Sequence, residues 1–515
     1  MLLYKRSSFI IVITALLTWS CSNEEQVMKD PNLIYILADD LGYGDVSFFN
    51  PASKIITPNI DILASEGMIF SNAHSGSSVC TPTRYGILTG RYSWRTALKQ
   101  GVSWSWDKPL IDSTRLTLAS MLKEKGYSTA CIGKWHLGLG WVMDEEKGIA
   151  DFSRELTAGP NDYGFDYSYI IPASLDIPPY VYIENHKITS QPDRMTSDTS
   201  KFGWWREGHT GADFKHEEVL PHFTDKAVEW VNQQAKKEKP FFLYFALPAP
   251  HTPILPAKEF IGRSSTNLYG DFVVMVDHMV GRVLDAVKLK GVEKNTIIIF
   301  TSDNGCSPAA DFDQLDSLGH SPSYVYRGHK ADIFDGGHRI PFILKWPNII
   351  NSGRTSLETV SLNDIMATMA DITAYDLPDN AAEDSYSLLP ILMEQLADYE
   401  RESLIHHSNN GYFAIRKGKW KLNVCAGSGG WSHPTESEAA DMGLPWFQLY
   451  DMDNDPGEQE NIAGDHPEIV NELKELLIKY IREGRSTPGP AMENTPAKNW
   501  PENKLKYEPT YDNTQ

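Results

Sequence analysis

Residues Asn32-Leu33-Ile34-Tyr35-Ile36-Leu37-Ala38 are apolar almost without a break. This is the pattern of a strand buried on both faces of a parallel sheet, where no alternate position meets water. Tyr127 to Ile132, Phe241 to Leu247 and Thr296 to Thr301 repeat it, and Phe342 to Trp346 is one more candidate strand. Between these runs the apolar positions fall at helical spacing. Thr57-Pro58 opens a helix with Ile60, Leu63, Ala64 and Gly67 on one side and Thr57 as its N-cap. Leu118 to Lys125, Phe223 to Lys236 and Asp271 to Leu289 are three further helices. Strands alternating with helices predict an α/β fold, a large and mostly parallel sheet flanked by helices.

After about Leu396 the pattern changes. Ser403 to His407, Tyr412 to Arg416, Lys419 to Val424 and Gln448 to Asp451 read as short strands of an antiparallel sheet, which the amphipathic helix Pro467 to Arg482 would cover. From Ser486 the chain is rich in Pro and Asn and predicted irregular. At the other end, Lys5-Arg6 precede the apolar run Phe9 to Leu17 and Thr18-Trp19-Ser20-Cys21. That is a signal peptide, too short to span a membrane comfortably. It looks like a lipoprotein signal over residues 1–20, with Cys21 as the acylated first residue. Trp19, unusual so near the cleavage point, leaves an ordinary secretion signal as the other reading. The expected organisation is therefore a tether over 21–30, a main domain over 31–395, a subdomain over 396–485 and a tail over 486–515. The chain would be exported and lipid-anchored at the bacterial outer membrane, cell surface or periplasm.

Composition narrows the function. A chain of 515 residues that is 41% hydrophobic can bury a large core. Its formal net charge of −21 argues against a nucleic-acid surface, so any affinity for an anion must come from a local basic pocket. Five cysteines are too few and too scattered for a disulfide framework. Cys131, Cys306 and Cys425 are left without an argued role.

Chemistry collects just after the strands: Asp39-Asp40, Lys134-Trp135-His136, His251 and Asp303-Asn304. Open α/β sheets place ligands at that edge, so these groups are consistent with one site. Asp39, Asp40, Asp303 and Asn304 offer only oxygen donors, which suit Ca²⁺ or Mg²⁺ better than zinc. Alone, an Asp-Asp pair after a strand is more often a turn or a helix cap; both pairs ending buried strands in one chain point to a metal. Ser77-Ser78-Val79-Cys80-Thr81-Pro82-Thr83-Arg84 leads into a helix that Gly90 would end, since Pro82 suits a first turn. Cys80 would then stand at a helix N-terminus, where an anion is favoured. On its own, a small buried cysteine at a helix start is the competing reading.

Cys80-Thr81-Pro82-Thr83-Arg84 followed by Leu88-Thr89-Gly90-Arg91 resembles the signature of the formylglycine-dependent sulfatases. Gly133-Lys134-Trp135-His136 resembles that family's Gly-Lys-x-His, and Pro250-His251-Thr252-Pro253 its later histidine motif. Gly328-His329-Lys330, leading to Asp335-Gly336-Gly337-His338-Arg339, resembles its Gly-x-Lys and Glu-Gly-Gly-x-Arg segments, with Asp335 in place of the usual Glu. The resemblance implies an alkaline phosphatase-like fold and a sulfuric ester hydrolase. It implies that Cys80 is oxidised to formylglycine by a formylglycine-generating or anaerobic sulfatase-maturing enzyme, and that its hydrated aldehyde attacks sulfur. One calcium ion would be held by Asp39, Asp40, Asp303, Asn304 and the modified Cys80. His136 would act as base in the elimination of sulfate, and Arg84 would hold the modified side chain. Lys134 would lie among the basic groups around the sulfate, while His251 and Lys330 would bind sulfate and protonate the leaving alcohol.

Aromatic residues in the insertions (Trp104, Trp106, Tyr180, Tyr182, Trp204, Trp205, Trp431) suit either the core or stacking on sugars. Ser174-Leu175-Asp176-Ile177-Pro178-Pro179-Tyr180 looks like a segment of the N-acetylgalactosamine-6-sulfatase group. That implies an exo-acting enzyme on 6-O-sulfated galactose or N-acetylgalactosamine of host or algal glycans, with Asp176 as a ligand for a sugar hydroxyl. Two other readings compete. A phosphodiester or phosphonate hydrolase of the same superfamily would prefer an aryl phosphodiester to an aryl sulfate. A surface lipoprotein that only binds glycans would keep its function after loss of one catalytic side chain.

Overall fold

The structure is a computed structural model that describes residues 30–496 apart from 145 and 147; the signal, the tether up to residue 29 with Cys21, and the tail from residue 497 lie outside the described residues. Five parallel strands form the middle of the main sheet: β1 (Asn32–Asp39), β2 (Ser128–Lys134), β3 (Tyr167–Ile171), β4 (Phe241–Pro250) and β5 (Thr296–Ser302). Their spatial order is β5-β1-β4-β2-β3. A sixth strand, β6 (Phe342–Lys345), pairs antiparallel with β5, and the short strands Met68–Phe70, Arg354–Ser356, Ile183–Glu184 and Lys187–Ile188 complete a ten-stranded mixed sheet.

Alternation along β1 explains its unbroken apolar pattern. Ile34, Ile36 and Ala38 enter a core shared with the long helices Val219–Gln234 and Leu268–Leu289. Leu33, Tyr35 and Leu37 enter the core on the opposite face, with helix Leu118–Glu124. Every residue of the strand is buried, and between Asn32, whose side-chain amide donates to the Thr296 hydroxyl, and Asp39 the side chains on both faces are apolar or aromatic.

The predicted helices are present, two of them starting earlier than the apolar spacing indicated, at Val219 and Leu268. Asn267 explains the second start, since its side chain caps the helix by accepting from the Tyr269 amide. Thr57 stands at the N-cap position of its helix without a side-chain cap. Its hydroxyl instead accepts from the Ser47 amide and donates to the Asp61 carboxylate.

The expected antiparallel sheet is formed by β7 (Leu404–His407), β8 (Phe413–Lys417), β9 (Trp420–Val424) and β10 (Phe447–Asp451). Helix Pro467–Glu483 lays Leu473, Leu477 and Tyr480 on it, and Tyr92 and Trp94 from the first part of the chain join the same core. The small sheet therefore packs directly against the segment that carries Cys80. Among the described residues no helix is long and apolar enough to cross a membrane.

Candidate active site

All four groups of polar residues expected after strands lie at one edge of the sheet, at the carboxyl ends of neighbouring parallel strands. Asp39 ends β1; Asp40 follows with a φ of 63°. Asp303 and Asn304 follow β5, Lys134 ends β2, and His251 follows β4. Helix Cys80–Thr89 (α1) meets this edge with its first residue, behind an extended Val79, and Gly90 ends it in the left-handed region. Backbone contacts need two of the motif glycines. A Cβ on Gly305 would lie 1.9 Å from the Gly336 carbonyl oxygen, and one on Gly133 would lie 1.8 Å from that of Ala246. The loop before Cys80 is anchored by the small sheet: the His407 carbonyl accepts from the Ser78 amide at 3.0 Å and the Ser77 hydroxyl at 2.8 Å.

Cys80, Asp39 and Asp303 bring one ligand atom each within 4.8 Å of one another, all buried. Arg84, one turn along α1, donates to Asp303 Oδ2 through Nε at 3.1 Å and Nη2 at 2.7 Å, and to the Lys134 carbonyl at 3.1 Å. Lys134 Nζ straddles Asp39 at 2.9 and 2.7 Å. Lys330 Nζ donates to Asp40 at 2.7 Å, and His251 Nε2 lies 3.6 Å from the same oxygen. Asn304 donates to Asp40 Oδ1 at 2.8 Å, which leaves its own Oδ1 buried with no hydrogen-bond partner.

Three buried carboxylates thus face three buried cations, so their formal charges cancel. Burial and the charge of Asp39 push Asp303 up to about 7, against the pull of Arg84 and Lys134. Burial works against Asp39 too, but Lys134, His251 and Arg84 hold it well below the usual carboxylate range. This donor set fits a divalent cation. It is all oxygen apart from residue 80, one acceptor is orphaned, and one carboxylate is under-compensated. With such an ion the site carries two positive charges, matched to sulfate. Burial pushes the Cys80 thiol up, with Lys134 and Lys330 pulling the other way. As a plain thiol it would be a weak nucleophile near neutral pH.

Residues 31–375 match the family model described as Sulfatase. The chain belongs to the sulfatase family. It is 36% identical to an N-acetylgalactosamine-6-O-sulfatase of Bacteroides thetaiotaomicron, over 88% of this chain and 93% of that one. It is 29% identical to human arylsulfatase A, over 90% of each. A solved Bacteroides thetaiotaomicron structure from work on the metabolism of multiple glycosaminoglycans superposes with a TM-score of 0.76 at 35% identity, covering 87% of this chain and 99% of that one. The sulfatase is accordingly a sulfuric ester hydrolase of the alkaline phosphatase-like fold.

His136 of this sulfatase adopts a φ of 58° two residues past β2. Its Nε2 faces the Ser103 carbonyl at 2.8 Å and must carry the proton there, because a carbonyl only accepts. Nδ1 is then a buried lone pair without a partner. Burial, with Lys134 and Arg84, depresses this histidine well below its ordinary value, so it is neutral at physiological pH. Asp335, the residue that stands where the family has Glu, lies away from the carboxylates and is held by Lys421 and Arg339, each at 2.8 Å.

Asp176 lies beside His251, Oδ1 to Nδ1 at 4.0 Å. The aromatic set divides. Tyr180 and Tyr182 are core residues, Trp106 packs on Trp141 and Phe152, and Trp205 stacks on His216. Trp104, Trp204 and Trp431 are exposed. Sequence reasoning missed Arg206, which pairs with Asp176 from a two-stranded ribbon, Pro192–Asp198 with Trp205–Gly211. Nothing in the polar segments of that ribbon marked them as strands.

The sequence also gave no sign of a buried histidine cluster behind the Cys80 loop. His74 and His338 meet Nδ1 to Nδ1 at 3.0 Å, and His338 stacks on His406 at 3.8 Å with 11° between the rings. Near-parallel rings at that spacing cannot aim in-plane lone pairs at one ion. Burial, reinforced by Arg339, Lys421 and the neighbouring rings, depresses all three well below the ordinary histidine value. Unfolding lets each ring take a proton below about pH 6.5. Their contribution to stability is therefore complete above that pH and is lost as pH falls below it. Each group contributes a slope of about 1.4 kcal/mol per pH unit. Chemical denaturation followed from pH 7.5 to 5.5 should show this acid loss, and His406→Phe should reduce it by about a third, the share of one ring in three. A stability that is level over that range would contradict the reading.

Proposed function

We propose that this sulfatase removes 6-O-sulfate from galactose-configured sugars, through residue 80 converted to formylglycine beside one calcium ion. The observation that carries the proposal is the convergence of Cys80, Asp39 and Asp303 within 4.8 Å, under Arg84, Lys134 and Lys330. Asp39, Asp40, Asp303, Asn304 and residue 80 would hold the ion. When present, the ion supplies charge neutralisation, and the hydrated aldehyde a hydroxyl nucleophile whose product can break down again, which a plain thiol or hydroxyl does not offer.

The chain's own groups supply the rest. Arg84 fixes Asp303 from the same helix that carries residue 80, so nucleophile and ligand are positioned together. Lys134 and Lys330 offset the charge that develops on sulfate oxygens in a dry site, where such offsets are strongest. His136, kept neutral by burial, takes a proton at Nδ1 and stays competent as base well into the acid range. His251 Nδ1 lies 2.6 Å from the Thr252 carbonyl and donates to it, so the proton that His251 would give to the leaving alcohol is a second one, carried on Nε2, which lies 3.6 Å from Asp40. His251 and Lys330 together bind sulfate and give a proton to the leaving alcohol oxygen.

The substrate reading rests on Asp176 and on two relatives. Asp176 Oδ1 is buried without a hydrogen-bond partner, ready to accept from a sugar hydroxyl. The Bacteroides thetaiotaomicron relative, and a mouse N-acetylgalactosamine-6-sulfatase at 28% identity, carry that substrate in their names. A buried acceptor left unpaired by an epimer is a strong discriminator. The expected preference for 6-sulfated N-acetylgalactosamine over 6-sulfated N-acetylglucosamine is on the order of a hundredfold or more in kcat/KM. Asp176→Ala should shrink that ratio. Equal or faster sulfate release from the glucose-configured sugar, or from a 2-, 3- or 4-sulfated one, would overturn the substrate assignment and leave the hydrolase intact.

A further inference from the structure

Arg206 is held in a way that neither catalysis nor packing requires. Its Nη1 bonds the Asp176 carbonyl at 3.1 Å and pairs with Oδ2 of the same residue. Its guanidinium lies 5.2 Å from the ring centre of Trp104 and 4.7 Å from that of Trp204. Both indoles are large exposed apolar groups, 49% and 38% accessible, which a folded chain gains nothing by displaying. The Nε and Nη2 groups of Arg206 make no hydrogen bond among the described residues, and the side chain is 38% exposed.

Position turns this into a site. Trp104 follows Ser103, whose carbonyl holds His136 at 2.8 Å. Asp176, which Arg206 grips, faces His251 at 4.0 Å. The cluster therefore borders the catalytic groups on two sides and opens outward. A guanidinium flanked by aromatic rings keeps its planar edge fixed and its spare N–H groups parallel, the arrangement that takes a carboxylate or a sulfate by two bonds at once. In a chain of net charge −21, Arg206 offsets the charge of Asp176 and so keeps the mouth of an anion-cleaving site from adding to the negative field.

We propose that Trp104, Arg206 and Trp204 form a subsite for a second oxyanion, carried by the sugar next to the one that loses its sulfate. The indoles stack on that sugar's apolar face, and Arg206 binds its carboxylate or second sulfate. The natural substrate is then an oligosaccharide of acidic sugars, and not an isolated sulfated monosaccharide. This inference rests on the carbohydrate sulfatase reading above and adds the adjoining residue.

The test uses the full chain, matured at residue 80, and three disaccharides that share the same sulfated non-reducing sugar. Their second sugar carries a carboxylate, that carboxyl reduced to an alcohol, or a sulfate. The expected result is a kcat/KM about ten- to a hundredfold higher for one or both anionic partners than for the neutral one, the usual worth of charge-assisted hydrogen bonds. Which anion gives the preference identifies the oxyanion recognised. Arg206→Met should bring the ratio close to one. Arg206→Lys should keep part of it, since it retains the charge and loses the planar fork. Because Arg206 also holds Asp176, its variants are expected to be slower on every substrate, and the ratio is the quantity read. Equal kcat/KM for all three disaccharides, or an anionic preference that persists in Arg206→Met, would overturn the subsite. Turnover of an aryl sulfate and of the sulfated monosaccharide tests the underlying sulfatase reading separately.

Discussion

Asp303→Asn is expected to yield a folded protein that binds no calcium at micromolar concentration and has lost turnover by on the order of a thousandfold or more. The carboxylate is assigned as a direct ligand, and even groups behind a metal's ligands cost ten- to a hundredfold when removed. The choice of asparagine matters. Arg84 is fully buried and has its closest carboxylate in Asp303 at 2.7 Å, with that of Asp39 next at 3.4 Å. Asparagine keeps a polar acceptor near the guanidinium, whereas alanine strips one partner from a buried pair, at a cost of about 3–5 kcal/mol. Comparing the two variants by metal analysis and thermal unfolding separates the roles of Asp303. Both should lack the ion, and only alanine should also lose much stability. Retention of both ion and rate in Asp303→Asn would show that the carboxylates of this edge do not form the metal site.

Cys80→Ala should be the most damaging change of all, with a loss of about 10⁴-fold or more in kcat on an aryl sulfate, the scale seen when a covalent nucleophile is removed. Substrate binding should survive, because the charges of Arg84, Lys134 and Lys330 are untouched. Cys80→Ser should match it in a host whose maturing enzyme accepts only cysteine. Both substitutions are nearly isosteric or smaller at a helix start packed beneath the His407 carbonyl anchor, so folding should change little. Rates near those of the unaltered enzyme in Cys80→Ala would remove the nucleophile from the account.

Much of this site could be read in the chain before any coordinates, and the reason is local. Strands buried on both faces announce themselves as apolar runs, and the polar residues that end them are pinned to one edge by topology alone. That topology brings Asp39, Lys134, His251 and Asp303 together. What the sequence withheld depends on contacts between distant segments. The pairing of Lys134 with Asp39 joins residues 95 apart, and that of Lys421 with Asp335 joins the small sheet to the short helix Asp335–His338. Tyr180 and Tyr182 are core while Trp104 and Trp204 are exposed, a division set by how the insertions pack. Arg206 was invisible for the same reason. It lies on an outlying ribbon whose residues show no apolar alternation, and only folding brings it to Asp176.

The most direct test of the central claim is the mass of the peptide spanning Cys80, taken from enzyme of known specific activity. The protein should be produced in parallel with and without a formylglycine-generating or anaerobic sulfatase-maturing enzyme. The account predicts the aldehyde at residue 80 in the matured protein, in a fraction that rises in proportion to sulfate release, and an inactive thiol form without maturation. Full activity from protein whose residue 80 is entirely thiol would contradict it.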